Sequence, residues 1–594
     1  MKRIKHVCLV LTVLLAFSAC TKDILDKKPL DVITDLDVWK SKDLVRTYIN
    51  GIYTKMDFLT YDLNDINRAP WQITEALYSD DTGGVGFGGV PKFGDFNKES
   101  TYLNWWGYNA IRIMNYALQQ LPAATLDDAN KKASIAEVRF LRAFSYFHMA
   151  KLFGGIPLIT KAQDINDPLG ELFVPRNKEE EVYNFVISEL DAIAADLPES
   201  YPSSEFGRPT KNAGLALKAR AALYAGSIAQ YGSLQLNGVV GIPAAQSASY
   251  YQKSYDASKA LMTYSAANPG KLALKSDNAD LVRNFQDIFF KSANVEVIMA
   301  KNFWSASGFG GTGPGNIWNL TESPGCVHPW AAGNATNVYL EFVNQFDNAD
   351  GTDGTLVIPN TWTTTQALWG KKEPRFFASI YTENTPFETL DGTTWKPTTV
   401  RMYSKVLTLE GTTLTSGTYK DINVAPTGQG KAFGCLKYTR GNQWPSPFDW
   451  VLFRYAEVLL NNAEAAFELG KAGEALADVN LVRARVKLPP LASITRESIR
   501  KERWVELAFE SHRYWDLRRW RRAEALLNGN PYHTLELTLD YASYAKDPLN
   551  AKYLVRQIAP DDGRIMVFKP AQYYLPIGPG RIANNNKLVE NPGY

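Results

Sequence analysis

The chain has 594 residues, 45% of them hydrophobic, which supports a large core and exceeds what one compact unit usually needs, so two intertwined lobes are expected. Its formal charge of +2 includes Lys2, Arg3 and Lys5, and without these three the 64 basic residues fall to 61 against 62 acidic ones, a net charge of −1. No basic stripe is left to neutralise phosphates, which excludes nucleic acid as a partner.

The first residues carry a basic start, an apolar run over 7–17 and then Ser18-Ala19-Cys20, the pattern of an export signal. The run is too short to span a bilayer. Small residues just before a cysteine resemble a lipoprotein cleavage box, although Phe17 stands where leucine is usual. This predicts a signal over 1–19, lipidation at Cys20 and a tether over 20–40. No later apolar run reaches transmembrane length, so the body is expected to be held to a membrane by lipid alone.

Two aromatic-rich helical patterns follow at 45–59 and 101–121. Between them the glycines of 75–97 offer neither packing nor restraint and predict a loop. Residues 136–158 form the next element. Val138, Phe140, Leu141, Phe144, Phe147 and Met149 make it apolar on nearly every side, and its charges Glu137, Arg139 and Arg142 lie in the first half. Such a helix must be buried, and Gly154-Gly155 followed by Ile156-Pro157 ends it. Helices at 178–197, 207–227 and 249–264 come next. In the second of these Thr210 reads as the N-cap, and Ala213, Ala216, Ala219, Ala222 and Ala225 permit close approach of another helix.

From 268 to 448 the chain is dense in Gly, Thr, Asn, Pro and Trp, with short apolar runs only at 295–300 and 339–346, and it reads as a loop-rich lobe. Helical pairing resumes at 449–470 and 474–488, a unit of tetratricopeptide-repeat size that buries its faces only by stacking on neighbours. One long helix is predicted over 495–527, with Glu510/Arg513 and Asp516/Arg519 as internal pairs.

The run Ala136-Glu137, Arg139 to Ala143, Tyr146-Phe147, Phe153-Gly154 and Ile156-Pro157-Leu158 closely resembles the hallmark helix of the SusD/RagB family, surface nutrient-binding lipoproteins of Bacteroidetes. Further blocks resemble the family in order: 207–211; Arg454 to Glu457 with Asn461 and Ala463 to Ala465; Glu502-Arg503 with Glu506 to Glu510; Arg513 to Leu517; and the ending at 574–577 and 590–594. Residues 578–581 depart from it, since the family commonly has an acidic stretch there. The resemblance implies a mostly α fold, a tetratricopeptide-like helical-pair scaffold over 41–267 and 449–594 with an irregular ligand-binding lobe over 268–448. It further implies a non-enzymatic protein on the outer-membrane surface that captures oligosaccharides and passes them to a SusC-like TonB-dependent transporter. Peptide cargo, as in the RagB branch, and a glycan-cleaving enzyme are the competing readings.

Catalytic patterns are scarce. No HExxH, nucleophile elbow or Walker loop occurs, and residues 308–315 are glycine-rich without the lysine a phosphate loop needs, so no cofactor or metal is expected. His328 beside Cys326 is a poor dyad, because sequence neighbours rarely meet as nucleophile and base. Asp347 to Asp353 offers oxygen ligands that could take calcium but lacks the full loop with its terminal Glu, and a turn satisfying its own backbone is the favoured reading. A disulfide between Cys326 and Cys435 and two separate thiols fit the spacing equally. What remains is aromatic: Trp304, Phe309, Trp318, Trp330, Trp362, Trp369 and Trp395 lie in the lobe where no amphipathic face claims them. A flat ring suits the C–H face of a sugar. The resemblance implies stacking aromatics in the region after 295–300 and hydrogen-bonding groups from an acidic loop before the hallmark helix, so the expected ligand residues are Trp304, Trp318 and Trp330, with Asp80 and Asp81 accepting from hydroxyls.

Overall fold

The computed structural model describes residues 35–60, 75–84, 97–100, 103–291, 293–303, 318–327, 336–391, 394–424, 431–441, 446, 448–560, 563 and 565–594. Cys20, Trp304, Phe309, His328 and Trp330 lie outside them. The scaffold begins with α1 (Lys42–Tyr53), α2 (Tyr108–Gln120), α3 (Asp128–Phe153), α4 (Glu179–Ile193), α5 (Lys211–Tyr231) and α6 (Ser247–Ala267).

Helix α3 is the hallmark helix, and it is buried as its sequence requires: Val138, Phe140, Leu141, Phe147 and Met149 are inaccessible to solvent. Asp127 caps it by accepting from the Asn130 amide, and Gly154, at φ 77°, ends it in a conformation that side chains rarely adopt. Its three charges tie it to its neighbours. Glu137 accepts from Arg46 and Arg208, while Arg139 and Arg142 both donate to Glu189 of α4. Thr210 caps α5 as expected, and α6 lies so close to the small-residue face that a Cβ on Gly226 would sit 2.9 Å from the Tyr251 ring.

After α7 (Leu281–Phe290) and the lobe, α8 (Tyr455–Glu468) and α9 (Ala472–Arg485) form the expected helical pair, turning at Gly470. The single long helix predicted over 495–527 is instead three: α10 (Arg496–Glu506), α11 (Arg513–Arg519) and α12 (Ala523–Leu527). Phe509, Ser511 and Arg521 take left-handed backbone conformations at the breaks. No glycine or proline signals them; tertiary contacts set them, because the break sends neighbouring charges in different directions. Glu510 pairs with Arg454 and Lys437 and Arg513 with Asp80, so the expected Glu510/Arg513 pair does not form, whereas Asp516/Arg519 does at 2.8 Å.

The lobe has its own core and, among the described residues, a four-stranded and a five-stranded sheet beside two hairpins. One runs Thr82–Gly84, Thr336–Val338, Gly434–Cys435, Ile380–Tyr381; the other runs Thr363–Thr364, Lys552–Ile558, Thr534–Asp540, Lys405–Leu407, Thr413–Leu414. Two sequence expectations change here. The stretch predicted as loop over 75–97 contributes a 3-10 turn, Glu75–Tyr78, and an edge strand, and residues after 533 complete the lobe's larger sheet. Cys326 and Cys435 are free thiols, pushed up by burial. Asp347 pairs with Arg483 and Lys501, while Asp350 and Asp353 accept from Thr352 and Thr355, the self-satisfied turn that was favoured.

Scaffold and lobe meet at a buried charge network. Val297–Lys301 pairs with Trp450–Arg454, and Arg454 donates to Glu510 (2.6 and 2.9 Å), Glu296 (2.8 Å) and Glu506 (2.7 Å). Arg485 and Arg375 close on the same Glu506. Burial opposes ionisation of Glu506, and the three guanidiniums overcome it, holding its carboxyl well below the usual range. Among the described residues no helix is long and apolar enough to cross a membrane.

Candidate functional site

A cavity of about 820 Å³ opens in the lobe between α7, the helix Thr365–Trp369 and the hairpin Pro386–Asp391/Thr394–Thr399. That is room for several sugar rings. Its walls alternate apolar and polar groups: Val282, Phe290, Phe377 and Phe387 against Gln286, Gln366, Thr385, Arg440 and Asn550. α7 presents both kinds because it is amphipathic at the lobe surface, with Phe285, Ile288 and Phe289 in the core and Val282, Gln286 and Phe290 toward the opening. Among the described residues neither the Gln286 nor the Gln366 side chain is engaged by the protein, which leaves two amides able to donate and accept.

The carboxylates of the cavity are committed. Asp280 caps α7 by accepting from the Val282 and Arg283 amides, and Glu388 accepts from Arg440 at 3.0 Å. Glu383 accepts from Arg401, Tyr553 and the Met402 amide; burial pushes its carboxyl up, with those three donors opposing. At the rim the Arg440 guanidinium lies 4.5 Å over the half-buried Trp395 ring. Gly441, at φ 73°, makes that stack fit, since a Cβ there would lie 2.5 Å from the Trp395 ring.

Trp318 does not reach the cavity as a platform. It is 2% exposed, packed 5.4 Å from Trp450 and 5.8 Å from Tyr438, and its indole N–H donates to the Lys437 carbonyl and the Thr439 hydroxyl, each at 3.0 Å. Its neighbour Asn319 bonds both backbone groups of Arg440, and Ser323 donates to the Gly441 carbonyl. The helix Trp318–Glu322 is thus a bracket that holds the cavity wall from behind. Asp80 and Asp81 also meet partners within the protein. Asp80 is buried against Arg513 at 2.6 and 2.7 Å. Asp81 accepts from the Trp504 indole, and burial together with Asp80 pushes its carboxyl up to about 7. Trp369 is buried and Trp362 is exposed. Gln286, Gln366, Arg440 and Glu388 carried no sequence signal, being ordinary polar residues separated by up to 154 positions and joined only by the fold.

Comparison with known proteins fits this architecture. A sequence model described as "SusD family" matches residues 296–594, and one described as "Starch-binding associating with outer membrane" matches residues 37–223. A SusD-like protein of Bacteroides ovatus is 25% identical over 538 residues, covering 86% of this chain and 82% of its own. The crystal structure of a SusD-like protein from Bacteroides fragilis superposes with a TM-score of 0.71 at 24% identity, covering 96% of this chain and 100% of that one. A SusD-like carbohydrate binding protein from Bacteroides fragilis gives a TM-score of 0.64 at 21% identity, covering 93% and 99%. The hallmark helix, the tetratricopeptide-like pairs and a family match over half the chain agree, and the chain belongs to the SusD family.

Proposed function

We propose that this protein captures oligosaccharides in its irregular lobe, at the outer-membrane surface, and hands them to a SusC-like TonB-dependent transporter. The observation that carries the reading is the lobe cavity, where free amides stand among aromatic and proline faces. A sugar ring needs that mixture, hydrogen-bonding groups for its hydroxyls and an apolar face for its C–H groups. A fold neighbour described as carbohydrate binding and a matching family model described as starch-binding support it. Binding is favoured over cleavage because each carboxylate lining the cavity has protein partners, whereas glycoside hydrolysis needs two that face the scissile bond. Peptide capture by strand addition is disfavoured, since both strands of the lining hairpin carry a proline, Pro386 and Pro397, that cannot donate to an added strand. In this reading lipidation at Cys20 supplies the membrane anchor and the transporter supplies the route inward, which the cleavage-box sequence and the resemblance to the family support.

Calorimetry of the signal-less protein against α-glucan and β-glucan oligosaccharides, with peptides as controls, tests the reading. Gln286→Ala and Gln366→Ala should each weaken the bound glycan about tenfold, about 1.4 kcal/mol. Retention of peptides alone, or parental affinity in both variants, rejects the assignment. Cys20→Ala should shift the protein from the membrane to the soluble fraction, and mild extraction should co-purify a large β-barrel.

A further inference from the structure

Buried guanidiniums in this protein generally meet carboxylates. Arg375, Arg454 and Arg485 do so in the network between the cores, Arg503 meets Asp516, Arg513 meets Asp80 and Arg519 meets Glu464. Arg521 does not. Among the described residues no carboxylate lies within ion-pair distance of it, and its guanidinium donates only to neutral oxygens, the Arg518 carbonyl at 2.8 Å and the Tyr574 hydroxyl at 2.7 Å. Arg176, which also lacks a carboxylate, spends its donors on four oxygens of Phe153, Gly155, Val589 and Asn591, and the half-buried Arg518, which lacks one too, lies flat on the Tyr514 ring and donates to the Tyr514 carbonyl. Arg521 makes only those two bonds of the five its fork can form, and it lines a second cavity, of about 270 Å³, on the scaffold side of the molecule.

Arg521 occupies a left-handed conformation, φ 53°, that a non-glycine residue adopts only when its surroundings over-determine it. The Tyr573 and Tyr574 rings lie 4.7 and 5.0 Å from its guanidinium and fix the direction of the fork. Tyr574 in turn donates to Glu179, so the nearest carboxylate is one phenol removed and cannot take the free donors. Val240, Pro570, Ala571 and Pro592 give the cavity an apolar wall, while Ser233, Gln235 and Glu524 give its mouth hydroxyl-bonding groups. A carboxylate seated on the fork, a ring face against the prolines and hydroxyls toward Gln235 and Glu524 describe one compact ligand. We infer that this cavity binds an acidic sugar, a hexuronate, through a bidentate contact between its carboxylate and Arg521. The volume admits one ring, either a free uronic acid or the terminal residue of an oligosaccharide, and it lies apart from the lobe cavity.

Calorimetry at low ionic strength, with glucuronate, galacturonate, a uronate-terminated disaccharide, glucose, acetate and inorganic phosphate, tests the assignment. One equivalent of a uronate should bind. Arg521→Gln should weaken it at least tenfold, Arg521→Lys should fall between because an ammonium cannot make the bidentate contact, and glucose should not compete. Ser233→Trp, a substitution at an exposed position of the mouth, should block uptake without touching the core, and it decides the matter if the Arg521 variants fail to fold. The disaccharide arm tells a terminal residue from a free acid. Binding of neutral glycans at the lobe should be unchanged throughout, which separates this site from that one. The inference is overturned if no uronate binds, if acetate, phosphate or glucose bind as well as uronates do, or if Arg521→Gln and Ser233→Trp bind like the parent.

Discussion

Replacing Trp318 distinguishes a bracket from a platform. The side chain is 2% exposed, and an indole buries roughly 150–250 Å² on folding, so Trp318→Ala should lower stability by about 4 kcal/mol through lost contact with Trp450 and Tyr438. It also removes the indole donor from the Lys437 carbonyl and the Thr439 hydroxyl. Trp318→Phe keeps most of the ring and removes only those bonds, at about 1–2 kcal/mol. Urea unfolding followed by circular dichroism measures both, and calorimetry against the glycan measures affinity where each variant is fully folded. A bracket predicts that Trp318→Phe binds within about threefold of the parent despite its lowered midpoint. A tenfold loss of affinity with an unchanged midpoint would mean that the ring touches sugar, and the assignment of Trp318 to the core would fail.

Arg454→Met should cost about 3–5 kcal/mol, because it leaves Glu296, Glu506 and Glu510 buried with too few cations; a loss below 1 kcal/mol in urea unfolding would show that the network does not couple the two cores. Glu179 is held up to about 7, chiefly by burial, against an ordinary value of 4.5. A carboxyl raised on folding contributes stability that is complete below pH 4.5 and is lost as pH rises to about 7. At ~1.4 kcal/mol per pH unit that loss is about 3 kcal/mol. Unfolding of Glu179→Gln should therefore lack it, gaining on the parent by up to that amount between pH 4.5 and 8, and parallel pH profiles would refute the cause. Gly441→Ala should push Trp395 off Arg440 and lower glycan affinity severalfold with a stability loss of about 1–2 kcal/mol, since φ 73° and the 2.5 Å approach both exclude a Cβ; parental affinity would remove the Trp395 and Arg440 rim from the site.

The helices of the scaffold were legible because their signals are local. Apolar residues on every side of 138–149 leave a helix nowhere to go but the core, Thr210 caps α5 through a bond to the amide three residues on, and Gly154 stops α3 by backbone conformation alone, although the Asp127 cap that starts α3 was not read. Family membership was legible for the same reason, since its blocks are these helix cores. The breaks after Glu506 were not, because what holds Phe509, Ser511 and Arg521 in left-handed conformations is a set of ion pairs and hydrogen bonds to residues tens or hundreds of positions away. The lobe's aromatics were visible as an excess, but composition does not distinguish a ring that faces sugar from one that faces Trp450. Only the packing put Trp318 inside and Trp395 at the rim. Asp80 and Asp81 looked like free acceptors in a glycine-rich loop until Arg513 and Trp504, more than 400 residues later, claimed them. The amino-acid sequence by itself determined the scaffold helices up to Glu506, the cap at Thr210, the stop at Gly154 and the family. Tertiary structure decided which polar groups stay uncommitted, because a donor or acceptor is free only when no distant partner has been folded against it, and that is a property of the whole chain.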